Sequence, residues 1–450
     1  MSREIEDLLS RYRRLKEERR PWESHWQELA EVMLPRRADF TGERSLGARR
    51  SDHLFDGTPM LARRGLAGAI DGLLKPKTAR WFRLKLLDEA LAEDEEVKRW
   101  LEIAEERLVR AIYDRRARFI QRSGEVDEDL VTFGTGCLFI GEGQALDRLV
   151  FRAYHLKDVV LSENAEGVID GLFLTLRLTA RQAAERFGAA ALGRDTQEAL
   201  KAGEDDKPFS FLQAVLPREG HDPRRRDGAQ LPFASLTLDL QSEYLVRAGG
   251  YHEFPFAVPR WDTAAGEVYG RSPGMIALPD AKTLQQMGKT LLVAGHKAVD
   301  PPLLVGDDSV LGTPKTFPGG ITTFDMQAAR DLGRIPIEPL QSGFNLPLGK
   351  EMQQDARDQV WAAFFRNVLQ LPVDAPKMTA TEVLERKEEF IRTIGPVFGR
   401  LESDYIGQVV ERAFKILLRA GAFPAPPDIL QGREVGFDYA SPVEQARRQI

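Results

Sequence analysis

Apolar residues recur at helical spacing in two stretches of the second half of the chain. Residues 278–299 start beside Pro279, which suits the first helical position, and stop before Asp300, which precedes two prolines. Residues 347–370 carry apolar side chains four residues apart: Met352, Ala356, Val360, Phe364 and Val368. We therefore predict two helices of roughly twenty residues, each about 30 Å long, on either side of a Gly- and Pro-rich segment.

A third helix is predicted after the short segment LPVDAPKM at 371–378. Thr379 and Glu382 have the spacing of a capping box, in which each side chain satisfies a free backbone N–H at the helix start. The helical pattern continues to about residue 420. Gly395 and Pro396 interrupt it, and the loss of a backbone hydrogen bond at proline predicts a kink there.

The first 130 residues are predicted to be mainly helical. Residues 2–34 form two apolar faces on either side of a break at Pro21: Ile5, Leu8, Tyr12 and Leu15, then Trp22, Trp26, Leu29 and Met33. The mixed charges of RYRRLKEERR favour a solvated face with i,i+4 ion pairs over a nucleic-acid contact. Further helices are predicted over 58–74 and about 94–123, with a strand, RWFRLKL, between them.

From about residue 131 to 260 the hydrophobic period becomes that of short strands bounded by Gly, Asn, Asp or Pro, starting with VTFGTGCLFIGEG as paired strands. One helix, TARQAAERFG, interrupts them, with Thr179 as its N-cap and Gly188 at its end. This region is predicted to be a mixed β domain with a small helix. The fold class is therefore α+β.

Composition narrows the function classes. The chain has 450 residues, enough for two or three modules, and a net charge of −6, which argues against tight binding of nucleic acid through a basic surface. A single cysteine, Cys137, excludes an internal disulfide framework and is typical of a reducing compartment. No stretch has the length and apolar character of a membrane span, so we expect a protein that is made and folded in a cytoplasm and contacts no membrane.

The motifs that could carry chemistry are weak. Gly134, Gly136, Gly141 and Gly143 lack the spacing of a dinucleotide fingerprint and are interpreted as bulge and turn glycines. No phosphate-binding P-loop occurs, and the six histidines have no metal-ligand spacing. The acidic pairs at 205–206 and 307–308 could hold Mg²⁺ in a nuclease, but solvated turns are the favoured interpretation. We expect no enzyme activity, no cofactor and no metal.

Several segments resemble portal, or head-to-tail connector, proteins of short-tailed bacteriophages, in matching order across nearly the whole chain. They are PWESHWQELAEVMLPRRADF, RWFRLKL, TFGTGCLFIGEG, LRLTARQAAERFG, YGRSPGMIALPDAKTLQQM and MTATEVLERKEEF. The resemblance implies the portal fold: a β-containing wing at 1–277, stem helices at 278–299 and 347–370, and a mixed α/β clip at 300–346. It further implies a tunnel loop at 371–378 and a long kinked helix leading to a crown within 379–450. Relatives commonly continue into a helical crown, whereas this chain ends at DYASPVEQARRQI, early in an expected helix.

The resemblance also implies a function and partners. Identical copies, as a dodecamer, would form a ring at one capsid vertex through which double-stranded DNA is packaged, retained and ejected. The ring would dock the terminase large subunit and later the tail adaptor proteins, and it would contact capsid and scaffolding proteins of the virion. A net-negative wall lets DNA slide, since strong phosphate binding would trap it.

Candidate residues follow from this arrangement. Four residues at and beside the tunnel loop either approach the DNA duplex or only cap helices and contact a neighbouring subunit: Asn367, Gln370, Asp374 and Lys377. Three clip residues are candidates for docking the motor or the tail: Asp307, Asp308 and Lys315. Two alternatives stay open, another multimeric phage structural or tail-adaptor protein without a DNA channel, and a metal-dependent nuclease.

Overall fold

A computed structural model describes the part of the chain from which the architecture is derived. It covers residues 2–42, 47–77, 80–86, 94–143, 148–221, 230–305, 327, 330, 337–339, 346–366, 395–430, 433 and 435–439. The helices of at least eight residues are α1 Ser2–Met33, α2 Thr58–Leu74, α3 Glu95–Ile112, α4 Phe119–Phe133, α5 Ala180–Phe187, α6 Arg194–Lys201, α7 Pro273–Val299, α8 Leu346–Ala363 and α9 Gln408–Arg419. The strands are β1 Phe82–Leu86, β2 Leu138–Glu142, β3 Leu149–Ala153, β4 Val159–Glu163, β5 Ile169–Thr179, β6 Pro208–Pro217, β7 Phe233–Asp239, β8 Tyr244–Tyr251, β9 Phe256–Ala257, β10 Leu303–Val305, β11 Ile337–Pro339 and β12 Val435–Tyr439. The α+β fold class predicted from the sequence is confirmed.

Helix α1 is continuous, so the predicted break at Pro21 is wrong. The helix survives the loss of one backbone hydrogen bond because both of its halves are packed. Leu8 and Tyr12 lie in an apolar cluster with the face of a β-sheet, and Trp26 and Met33 are fully buried in the main core. The solvated charged face is confirmed for exposed pairs such as Arg14–Glu18 and Arg20–Glu17. Arg19 of the same run is instead buried and donates to the carbonyl oxygen of Leu156 at 2.9 Å.

The helices that follow α1 agree with the sequence prediction except in one segment. Helix α2 has the predicted bounds, and β1 follows it as predicted. The predicted helix at 94–123 is two helices, α3 and α4. They are separated by a turn in which Arg118 adopts a left-handed backbone conformation, with φ of 60°. A helix cannot continue through such a residue.

The mixed β region contains two antiparallel sheets. The larger has the strand order β4-β5-β6-β7-β8, and the smaller has the order β3-β2-β9. The N-terminal half of α1 packs on one face of the larger sheet through Leu8 and Tyr12. Helix α5 begins at the predicted capping residue Thr179 and ends at Gly188, and it is followed by a second helix, α6, that the sequence analysis did not predict.

The segment VTFGTGCLFIGEG is only partly β-structure, which corrects the prediction of paired strands. Residues 131–133 complete α4, and Gly134 ends that helix with φ of 81°. A Cβ at Gly134 would lie 2.2 Å from the carbonyl oxygen of Gly270, so only glycine fits this crossing. Strand β2 then pairs with both β3 and β9. The turn interpretation of Gly134 is confirmed.

The C-terminal part of the chain packs against the N-terminal region and pairs with strand β1. Residues 395–401 are helical, Glu402–Gly407 form a π-helical turn, and α9 completes the helix near the predicted end. Strand β12 then pairs antiparallel with β1, with Leu84 opposite Phe437. The expected helix at DYASPVEQARRQI is therefore wrong for residues 438–439, because they belong to β12 of a two-stranded sheet; residues 440–450 lie outside the described residues.

Candidate functional site

Helices α7 and α8 pack against each other and lie where the two stem helices were predicted. Helix α7 begins six residues before Pro279, so Pro279 lies inside the helix and not at its first position. The side chain of Ser272 caps the helix by accepting from Met275 N at 3.0 Å, and its hydroxyl donates to the carbonyl of Thr132 at 2.7 Å. Pro273 takes the first-turn position, because this buried cap fixes the start of the helix.

The helix pair is attached at Asp56, in the loop before α2. We call the described part of the chain outside the helix pair and strands β10 and β11 the body. The side-chain oxygen of Gln285 on α7 accepts from Phe55 N at 2.7 Å and from Asp56 N at 3.0 Å, while its Nε2 donates to Asp56 O at 2.7 Å. Arg357 on α8 donates to Asp56 Oδ2 from Nε at 2.9 Å and forms the ion pair through Nη2 at 2.8 Å. Burial raises the pKa of Asp56, but hydrogen bonds from Thr58 and Arg357 outweigh it, so the pKa is lowered. Asp56 therefore joins both helices to the body as a carboxylate.

Beyond this attachment the pair forms an arm, which we define as α7 residues 286–299 and α8 residues 347–356. No residue of the arm is buried in the single chain. The side chains of Leu292, Val293, Val299, Leu348 and Met352 are 45–88% exposed. Protruding helices with large exposed apolar side chains mark an interaction surface, because a soluble monomer seldom exposes such a group together.

Of the predicted clip at 300–346, the structure describes residues 300–305, 327, 330, 337–339 and 346, so the assignment of a clip stays a prediction. Strand β10 follows α7 and pairs antiparallel with β11, with Leu304 opposite Glu338. The chain therefore leaves the arm at the end of α7 and re-enters it at the start of α8, and the strands β10 and β11 that flank the intervening segment pair with each other. The candidate docking residues Asp307, Asp308 and Lys315 lie outside the described residues, so their role stays a prediction.

The candidate channel residues Asn367, Gln370, Asp374 and Lys377 also lie outside the described residues, as do the capping residues Thr379 and Glu382. The predicted second stem helix at 347–370 is α8, whose regular part ends at Ala363. Phe365 then has a positive φ of 58°, which is incompatible with a continuing α-helix. Gly395 and Pro396 begin the next described segment, which is helical. The predicted kink stays a prediction, since the preceding residues are not described.

A buried charged cluster connects that helix to the body. Lys75, after α2, donates to Asp127 Oδ2 of α4 at 2.5 Å and to the hydroxyl of Tyr405 at 3.3 Å. The Tyr405 hydroxyl donates to the carbonyl of Ser123 at 3.2 Å. Burial raises the pKa of Asp127 to about 6, although Lys75 opposes the shift. Burial, with Asp127 nearby, also raises the pKa of Tyr405.

The sequence analysis did not identify the polar residues at either attachment. Gln285 follows the buried Leu284 on α7, and Asp127 follows the buried Val126 on α4. A polar residue next to an apolar one also occurs on any exposed helix face, so the pattern alone did not distinguish them. Within the described ranges, no group of three His, Cys, Asp or Glu side chains is placed to hold a metal ion. No helix among the described residues is long and apolar enough to cross a membrane.

Comparison with known proteins gives consistent matches. A family model described as "Bacteriophage head to tail connecting protein" matches residues 6–450. The "Probable portal protein" of Bordetella phage BPP-1 is 28% identical over 452 residues, covering 98% of this chain and 80% of that protein. The "Portal protein" of Salmonella phage epsilon15 is 28% identical over 459 residues, covering 99% of this chain and 80% of that protein.

Solved structures of gene transfer agent particles also match, at lower similarity. A chain from the virion of a native gene transfer agent particle has a TM-score of 0.38 and 12% identity, with 91% of this chain and 89% of that chain covered. A chain from the neck of the native particle with C12 symmetry has a TM-score of 0.39 and 11% identity, with 87% of each chain covered.

Proposed function

The chain belongs to the bacteriophage head to tail connecting proteins, and on this premise we propose that its copies close into a ring that forms the DNA channel of the portal vertex. The family places the protein in the virion, at the junction of head and tail. The role is structural, and we propose no catalytic activity for it.

The single observation that supports ring assembly is the exposed surface of the arm. Its two helical segments continue beyond the Asp56 attachment, have no buried residue, and expose large apolar side chains such as Val293 and Met352. Burial of this surface between copies is favourable at about 25 cal/mol per Å² of apolar area. A heterologous contact that repeats by a pure rotation of a whole fraction of a turn closes into a ring.

A wall of helices suits a channel for DNA, because helices satisfy their own backbone hydrogen bonds and leave side chains for the neighbours and the lumen. Each copy has a net charge of −6, so a ring of twelve copies would not bind the duplex tightly. We propose that the loop near Asn367, Gln370, Asp374 and Lys377 approaches the duplex.

We further propose that the lobe between β10 and β11 docks the packaging motor and later the tail. Support comes from β10 and β11, which follow α7 and precede α8 and pair with each other away from the attachment at Asp56. Within that lobe the candidates are the acidic pair Asp307 and Asp308, and Lys315. Capsid and scaffolding proteins are proposed partners of the larger body.

Negative-stain electron microscopy of the purified protein tests the ring. We expect annular particles with a central hole wide enough for duplex DNA, and a mass that is a multiple of the 50.6 kDa chain. Only monomers, or closed dimers that bury the arm and leave no hole, would contradict the portal function.

Replacement of residues 370–378 by a Gly/Ser segment tests the loop. Rings should still form, because the loop lies outside the arm, whereas the yield of packaged DNA in assembled particles should fall. A matched replacement of the exposed turn at residues 164–167 should leave DNA yield unchanged. Normal packaged-DNA yield with the loop replaced would contradict its role.

A further inference from the structure

The outer side of α7 in the arm is basic. Between Ala281 and Val299 the helix contains Lys282, Lys289 and Lys297 and no acidic residue. Its half-buried positions, such as Leu291 and Ala294, lie on the side that packs on α8. At 100° per residue, Lys289, Val293 and His296 lie within about 60° of one another on the opposite side. This exposed stripe combines positive charge with an apolar centre.

The outer side of α8 is acidic. Glu351, Asp355 and Asp358 are exposed and lie within about 60° of one another, while Met352, 50% exposed, borders them. The half-buried Gln353 and Ala356 mark the opposite side, which faces α7. Lys350 lies about 100° around the helix from Glu351, outside this stripe.

Four of the charges on the two outer sides are unmatched among the described residues. Throughout the part that the structure describes, Lys289, Lys297, Glu351 and Asp355 have no ion-pair partner. Lys282 lies on the same side of α7, one step closer to the body. It forms an ion pair with Glu28 at 2.5 Å. Each arm therefore has one basic and one acidic outer side, which point in opposite directions.

The two stripes also lie at similar heights along the arm. Gln285 and Arg357 both bind Asp56, which aligns the antiparallel helices at that level. From there, at about 1.5 Å per residue, Lys289 is about 6 Å along the arm. On the same scale Asp355 is about 3 Å along it and Glu351 about 9 Å. In a ring whose arms run along its axis, rotation about that axis preserves these heights, so Lys289 of one copy falls between the two acidic residues of the next.

We propose that the basic side of α7 in one copy docks on the acidic side of α8 in the next, with Val293 and Met352 buried between them. The partner is a second copy of this chain, and Lys289 pairs with Glu351 and Asp355 across the interface. The inference rests on the proposed ring and adds the direction of contact: the surface is heterologous, so each copy donates one side and receives the other.

Charge reversal tests the pairing. The Lys289→Glu/Lys297→Glu variant makes both sides acidic, and the Glu351→Lys/Asp355→Lys variant makes both sides basic. Each variant alone should lose rings at low salt, with at least about a tenfold rise in the protein concentration needed for assembly, because like charges then face each other. A 1:1 mixture should restore rings in which the two variants alternate, as seen by native mass spectrometry of the size-tagged chains.

The mixture keeps the test independent of folding, since a variant that failed to fold could not be rescued by the other. An Arg181→Glu/Lys201→Glu variant, which reverses two exposed cations on α5 and α6, should assemble as the unmodified protein does. Rings from either arm variant alone, or no rings from their mixture, would overturn the pairing. If the unmodified protein forms no rings, the proposed function itself is wrong.

Discussion

Gln285 on α7 and Asp56 before α2 are linked through the backbone of Asp56 by two hydrogen bonds, of 3.0 Å to its N–H and 2.7 Å from Nε2 to its carbonyl oxygen. The same glutamine also accepts from the N–H of Phe55. One buried amide side chain therefore satisfies three backbone groups of a loop 229 residues away in sequence. The arm depends on this attachment for its orientation relative to the body.

Replacement of Gln285 by alanine should weaken the attachment. The backbone groups of Phe55 and Asp56 would lose their partners, and each buried unsatisfied group costs about 1–3 kcal/mol. We expect the free energy of unfolding, from urea titration, to fall by about 2–4 kcal/mol, and the amides of residues 55 and 56 to exchange hydrogen faster.

Gln286 is the matched control, because it is the next residue of the same helix and its side chain is exposed. Gln286→Ala should change the free energy of unfolding by less than about 0.5 kcal/mol. Equal losses in the two variants would show that the Gln285 side chain does not fasten the arm.

The pair formed by Lys75 and Asp127 predicts a second outcome. Lys75→Met removes the cation from a fully buried carboxylate, and breaking a buried pair in this way costs about 3–5 kcal/mol. The double variant Lys75→Met/Asp127→Asn should be more stable at neutral pH than Lys75→Met alone, because no uncompensated charge remains. Urea unfolding of both variants measures this, with the exposed Lys201→Met as control.

The pH dependence of this pair has a definite sign. Asp127 has a folded pKa of about 6, above the ordinary value of 3.8. The folded protein therefore binds the proton more tightly than the unfolded chain, and the contribution of Asp127 to stability decreases as pH rises between these two values. Because Lys75 lowers this pKa, its removal raises the pKa further and extends the loss to higher pH.

Lys75→Met should therefore be least stable relative to the unmodified protein at about pH 8, and it should regain stability as pH falls toward about 5. Urea unfolding of both proteins across this range checks the prediction. A difference in stability that stays constant with pH would contradict the assignment of the loss to a buried, titrating Asp127.

Gly407 in the π-helical turn predicts a third outcome. A Cβ on Gly407 would lie 2.8 Å from the carbonyl oxygen of Glu402, a backbone atom that has no alternative rotamer. Gly407→Ala should therefore lower the free energy of unfolding by about 1–3 kcal/mol, as measured by urea unfolding. The loss should be accompanied by faster hydrogen exchange around Tyr405.

Gly399 provides the contrast, since it is in the same helix and a Cβ there would meet no atom within 4 Å. Gly399→Ala should stabilise the protein by about 0.5–1 kcal/mol, as expected for an open helical position. If both substitutions stabilise the protein, the close approach at Gly407 does not restrict that site.

The sequence determined the elements whose signals are local. Helix α2, the capped helix α5 and the end of β1 agree with their predicted positions, because capping residues and apolar periods act within a few residues. The same local rules were wrong at Pro21 and Pro279. There, the packing of α1 on the sheet and the cap at Ser272, which is held by Thr132, outweighed the cost of proline inside a helix.

Sequence alone therefore specified the α+β class, the two long helices with a segment between them, and the similarity in segment order to a phage connector family. Only the tertiary structure decided which polar residues hold the helix pair: Gln285 and Arg357 meet at Asp56, although hundreds of residues separate them from it. It also decided that β12 returns to β1 and that the two outer sides of the arm carry opposite charge. The physical reason is that periodicity and capping depend on neighbours along the chain, whereas hydrogen-bond partners and the direction of a helix face depend on segments that folding brings together.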